Sequence, residues 1–287
     1  MTSSVQSSVR SSVVLRCAGR PVGCYHYRPE IDTRLSPRPY LHPLTTLQGL
    51  RVTEEMPQDH LHHLGVSVAV PDIDGVNFWG GRTFVRGRGS TELANHGTQR
   101  HDGWKLRDSD GFVEDVSWRT AQGELLSEYR TVAATELDDR AWALDFTFSL
   151  TNSSGRDLSI GSPATNGRPG AGYGGFFWRA PKEAGTPHVF TQDTDGEEPV
   201  HGRRADWLAL AGNGWTLVFA GATEETRRDP WFVRSREYPG VGSALAWEGR
   251  LPVAAGEVVV RRIVTVVADG RLDRDTAAAY VRRVATA

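Results

Sequence analysis

The sequence predicts an all-β, antiparallel sandwich closed by a short C-terminal helix. Three observations carry this expectation. Strand-length runs rich in Val, Thr, Phe and Trp recur along the chain, separated by Gly, Asn and Asp turn signals. Residues 141–150 alternate with period two, which puts Trp142, Leu144, Phe146 and Phe148 on one face. Only the last residues have helical spacing, with Asp273 placed to cap them.

The elements follow in order. Residues 13–17 and 22–27 flank a turn at Gly19-Arg20-Pro21. Residues 27–39 are rich in Pro and Arg and are expected to be loop or edge. Residues 64–70 form a strand that stops at Pro71-Asp72. Three strands come next, at 112–118, 124–134 and 141–152, punctuated by Gly111, Gln122-Gly123 and Asp138-Asp139. Residues 207–210, 215–221 and 258–267 complete the set. In the terminal helix, 274–284, Ala277, Tyr280, Val281 and Val284 share a face. No repeat and no Pro/Gly linker divides the chain, so 13–287 is expected to be a single β-sandwich domain behind a flexible Ser-rich leader, 1–12.

Charge and composition narrow the function classes. The chain has 287 residues, 24% of them charged, with a formal net charge of −2. That is no footprint for nucleic acid, and no apolar run approaches the ~18 residues that span a bilayer. Cys17 and Cys24 flank the first turn, where a cross-strand pair is geometrically open. Two cysteines are far from the density of a disulfide scaffold, and two free thiols in a cytoplasmic protein are expected.

The main chemical signal is Asp59-His60-Leu61-His62-His63-Leu64-Gly65. Three of the nine histidines fall within four positions. Histidine titrates near neutrality and is the commonest metal ligand. In an extended segment His60 and His62 point one way and His63 the other. Upstream, prolines hold Arg38, Tyr40 and His42 in Arg38-Pro39-Tyr40-Leu41-His42-Pro43. Trp79, beside Gly80-Gly81, can offer an open ring face, and His96 can donate into a pocket. The run Gly170–Arg179 lacks the ending of a phosphate loop; it is expected to bring the backbone into close approach and then deliver Arg179 on a strand, with Tyr173 in the glycine-rich part. Trp231, Glu237 and Glu248 follow, the two carboxylates as candidate general bases.

At these motifs the sequence resembles a bacterial family of unknown function labelled "methane oxygenase PmoA", with matching stretches spread over roughly residues 13–270. The resemblance implies kinship with galactose-mutarotase-like β-supersandwich proteins of sugar utilisation. Asp59-His60-Leu61-His62 looks like a variant of the Asn-His-Leu-His-Gly segment of mutarotases, with Asp59 replacing Asn and His63 added. Glu237-Tyr238-Pro239 loosely matches their C-terminal base.

These observations together predict a carbohydrate-active enzyme working on a sugar or oxidised sugar by epimerisation, elimination or hydrolysis. His60, His62, Glu237 and Glu248 would be catalytic, and Arg38, Tyr40, His42, Trp79, His96, Tyr173, Arg179 and Trp231 would bind substrate, with no cofactor. One alternative is a divalent metal on His60, His62 and a third ligand such as Asp59, His42 or His96. The other is a non-catalytic sugar-binding module.

Overall fold

The computed structural model describes residues 11–285, so most of the expected leader lies outside the described residues. Two large antiparallel sheets dominate. The first has seven strands in the order Ser12–Cys17, Arg20–His26, Tyr40–Leu44, Val66–Ala69, Gly175–Arg179, Gly240–Ala244 and Trp231–Arg234. The second has eight: His188–Phe190, Trp207–Ala211, Trp215–Gly221, Val258–Asp269, Ala141–Asn152, Gly123–Glu136, Gly111–Thr120 and Thr98–Arg107.

The sheets pack face to face, because period-two alternation sends one set of side chains from each into a shared core. Trp142, Leu144, Phe146 and Phe148 lie in that core, as their spacing predicts. Phe176 and Trp178 meet them from the seven-stranded sheet, with Phe176 5.5 Å from Phe146 and Trp178 5.5 Å from Phe219. The opposite face of the eight-stranded sheet is small: Ala141, Ala143, Ala209 and Ala220. The C-terminal helix, Arg274–Ala285, covers it with Ala277 and Val284, and Asp273 Oδ1 accepts from the Thr276 N–H at 2.8 Å to cap the helix.

Five strands of the two large sheets depart from expectation: Tyr40–Leu44, Thr98–Arg107, His188–Phe190, Trp231–Arg234 and Gly240–Ala244. Thr98–Arg107 reads as polar because it is an edge strand and buries only Gln99 and His101. Tyr40–Leu44 carries Pro43, which argues against a strand inside a sheet. A bulge resolves the conflict: the register steps from Gly23↔Leu44 to Tyr25↔Leu41, taking His42 and Pro43 out of the ladder. The cysteines do not face each other. Cys17 pairs with Arg20 and Cys24 with Val14, and both are free. No helix among the described residues is long and apolar enough to cross a membrane.

Candidate functional site

The site is built on the outer face of the seven-stranded sheet. In Gly175–Arg179, burying Phe176 and Trp178 inward turns Phe177 and Arg179 outward. In Trp231–Arg234, inward Trp231 and Val233 likewise turn Phe232 and Arg234 outward. The strand between them, Gly240–Ala244, aligns these side chains in rows. Phe177 and Phe232 flank Gly242, and Arg179 and Arg234 flank Gly240. Glycine suits this lane: a Cβ at Gly240 would meet Tyr238 at 3.0 Å and Phe177 at 3.1 Å.

Four loops rise over this floor and enclose a cavity of about 380 Å³. The loop before Val66–Ala69 supplies Asp59, His60, His62 and His63. It is not extended. The His60 N–H bonds Pro57 O at 2.8 Å and the His63 N–H bonds His60 O at 2.9 Å. These turns overturn the expected split of side chains and gather all three imidazoles. Ring centroids are 4.5 Å apart for His60 and His63, 4.8 Å for His62 and His63, and 5.7 Å for His60 and His62. Trp79 and Tyr173, centroids 4.6 Å apart, form an aromatic wall.

Two buried arginines set the histidines. Arg38, fully buried, donates to Ser67 Oγ at 3.0 Å, Trp79 O at 3.0 Å, Ser36 O at 3.1 Å and His62 O at 2.7 Å. It thereby pins the histidine loop to the Trp79 loop. Burial lowers its pKa to about 9, still cationic at neutral pH. Arg179, 1% exposed, donates from Nη1 to His63 Nδ1 at 3.2 Å and lies 4.6 Å over the Tyr238 ring. A guanidinium only donates, so His63 accepts at Nδ1 and carries its proton on Nε2. Burial, then the neighbouring His62, hold His63 well below the usual imidazole range. Burial and the Arg38 charge push His62 down to about 3. Both rings are neutral at pH 7. Asp59 Oδ2 sits 3.3 Å from His60 Nδ1 and its other oxygen 3.6 Å from Arg179. Burial opposes its ionisation, but Arg179 and His60 outweigh that and keep its pKa below normal.

Residues 12–282 match a family described as "Family of unknown function (DUF6807)". The chain belongs to this family. The methane oxygenase label finds no support, since the matching family carries no such description. No curated protein matches the chain. Among solved structures it is similar to heparinase III with methylated lysines, at 9% identity and a TM-score of 0.28, over 74% of this chain. A second heparinase III structure gives 10% and 0.29 over 77%. The chain spans about a quarter of those proteins, 24% and 28% of their length.

In this DUF6807 chain the predicted residues divide. His60, His62, Trp79, Tyr173 and Glu237 line the cavity, with Arg38 and Arg179 in its supporting wall. The others lie elsewhere. Tyr40 donates to Glu55 at 2.7 Å, and His42 Nδ1 pairs with Thr53 Oγ1 at 2.9 Å. His96 donates to Gly81 O at 2.7 Å and lines a neighbouring cavity. Trp231 faces the inter-sheet core and donates to Ala205 O at 2.8 Å. Glu248 lies in a separate cleft with Trp247 and Arg228. Among the described residues no three of His, Cys, Asp or Glu form a group able to hold a metal ion. The donor set of the metal alternative therefore does not fit.

Sequence reasoning missed Tyr238, Phe232, Arg82, Arg168 and Arg234. A signal existed for Arg234. Phe177-Trp178-Arg179 and Phe232-Val233-Arg234 are the same Phe-Xaa-Arg pattern, which puts ring and cation on one sheet face. Arg82 and Arg168 sit among glycines and prolines in loops, where spacing carries no direction.

Proposed function

We propose that this chain is a carbohydrate-active enzyme that moves protons on a sugar or oxidised sugar held over the outer face of the seven-stranded sheet. The observation that carries this reading is the gathering of His60, His62 and His63 at one cavity wall, packed against an aromatic one, with the His63 and Trp79 ring centroids 5.8 Å apart. The sandwich with a site on an outer sheet face fits the mutarotase-like architecture that the motifs resemble.

The chemistry follows from the protonation states. Neutral imidazoles with unengaged nitrogens can accept a proton at pH 7, whereas cationic ones cannot. His60 is the proton acceptor in this reading, and His62, whose pKa of about 3 makes it a weak base, hydrogen-bonds a substrate oxygen as a neutral ring. Asp59, held ionised beside His60 Nδ1, orients that ring and stabilises its cation when it takes a proton. Glu237, exposed at the rim, is the carboxylate within reach of the same space. Tyr173, half-buried, presents its ring to the C–H surface of a sugar, with Trp79, 4% exposed, packed behind it. Arg38 and Arg179 act as positioning residues. Tyr40, His42, His96, Trp231 and Glu248 take no part.

The test is a panel of aldoses, uronates and glycosides followed by proton NMR with the wild-type chain, His60→Gln and His62→Gln. Turnover of at least one panel member should fall by roughly 10²–10⁴-fold in the variants, the usual worth of a positioned acid or base. Turnover that survives both substitutions would remove the histidines from the chemistry. Binding without turnover on any member would favour a sugar-binding module.

A further inference from the structure

We infer that the ligand of this cavity is an anionic sugar, its charge held by Arg82, Arg168 and Arg234. The inference rests on the carbohydrate reading above and narrows it to one substrate class.

The argument is one of uncompensated charge. Arg82, Arg168 and Arg234 line the cavity. Among the described residues none of the three forms an ion pair, and the side chains of Arg82 and Arg168 make no hydrogen bond either. Arg234 donates to Val233 O at 2.9 Å and lies 3.0 Å from both nitrogens of the His201 ring, which are neutral partners. Elsewhere on this protein arginines are closed by carboxylates: Arg250 by Asp72 at 2.6 Å, Arg261 by Asp229 at 2.7 Å, Arg262 by Asp145 at 2.6 Å. The wall adds two more buried guanidiniums. Arg38 has only neutral acceptors, and Arg179 keeps an Nε without a hydrogen-bond partner. Against five arginines stand Asp59 and Glu237 in the lining, with Glu54 and Glu197 acting on Arg179 and Arg234 from behind, and only Asp59 comes within ion-pair distance of one of the five, at 3.6 Å.

Like charges gathered around a concave, partly dry space focus field into it and favour a bound anion. A guanidinium matches a carboxylate or phosphate through paired N–H donors, which a hydroxyl cannot reciprocate. The neutral histidines do not compete for the anion. Arg234 lies 4.8 Å over the Phe232 ring, which packs 5.4 Å from Tyr173, so the anion lies on the Tyr173 side of the cavity. A neutral sugar would leave Arg82 and Arg168 without a charged partner.

The experiment is calorimetric titration of the full chain with matched probes: D-glucose, D-glucuronate and D-glucose 6-phosphate, then D-galactose and D-galacturonate. An anionic form should bind roughly ten-fold or more tightly than its neutral parent, as charge-assisted hydrogen bonds require. The preference should shrink as salt rises. Glucuronate or galacturonate binding assigns the anion as carboxylate, and selective binding of the phosphate assigns it as phosphate. Arg82→Gln/Arg168→Gln, checked for folding by its melting temperature, should lose most of the preference. Equal or tighter binding of the neutral parents overturns the inference while leaving the carbohydrate reading intact. No binding of either class overturns both.

Discussion

Arg179 donates to Nδ1 of His63 across 3.2 Å, and this contact decides which nitrogen of the imidazole carries the proton. The cation and the ring reach each other because Arg179 is turned outward at the end of a strand whose Phe176 and Trp178 are turned inward. The chemistry of the loop is thus tied to the pleat of the sheet beneath it.

The first prediction concerns that tautomer. Long-range proton–nitrogen NMR should show His63 as the neutral Nε2–H form, without titration between pH 5 and 8. Arg179→Gln should release the tautomer and populate the Nδ1–H form, while burial keeps the ring neutral. A His63 resonance that titrates near 6.5 in the wild-type protein would contradict the geometry.

Stability should depend on pH through the same rings. The folded-state pKa of His62 lies at about 3, below the ordinary imidazole value near 6.5, so the unfolded chain binds more protons between the two. The contribution of neutral His62 is fully present above pH 6.5 and is lost as pH falls toward 3. His63 is shifted in the same direction. Neutral His62 adds about 1.4 kcal/mol per pH unit within that window. Urea midpoints at pH 4, 5 and 6 should therefore fall more steeply for the wild-type protein than for His62→Gln.

Arg38 should prove structural first and functional second. Arg38→Met leaves the Trp79, Ser36 and His62 carbonyls buried without donors, at a cost of about 3 kcal/mol or more. Arg38→Lys should recover part of it. Denaturant unfolding measures both, and an unchanged midpoint for the methionine variant would refute the role.

Gly80 is a sharper test of loop packing. Its φ is +98°, and a Cβ there would lie 2.5 Å from Leu35 O and 2.8 Å from His62 Cβ. Gly80→Ala should cost about 1–3 kcal/mol and displace the His62 ring, visible in its imidazole shifts. The same substitution at Gly87, where φ is +74° and nothing lies within 4 Å, should cost strain alone.

Much of this was legible in the sequence, for physical reasons that differ by element. Ala141–Asn152 declares itself because one face is buried throughout with large side chains while the other is small or polar and fully buried only at Ala141 and Ala143. Thr98–Arg107 hides because an edge strand can be polar along its length. The histidine loop is visible as composition, but its turn geometry is not, so the fate of His63 was misjudged. Trp231 illustrates the reverse failure: its neighbours suggest a pocket, yet the alternation that exposes Phe232 and Arg234 buries it. His42 and Tyr40 look rigidly aimed, but nothing local says at what. Arg82 and Arg168 reach the cavity only through the path of long loops.

The measurement that tests the central claim most directly is the imidazole region of the long-range proton–nitrogen spectrum during titration with the sugar panel. At least one sugar should move the His60, His62 and His63 signals together while leaving His188 unmoved; His188 lies on the edge strand His188–Phe190 of the other sheet. Saturable binding that leaves the three signals in place, or shifts only histidines outside this cavity, would contradict the assignment of the site.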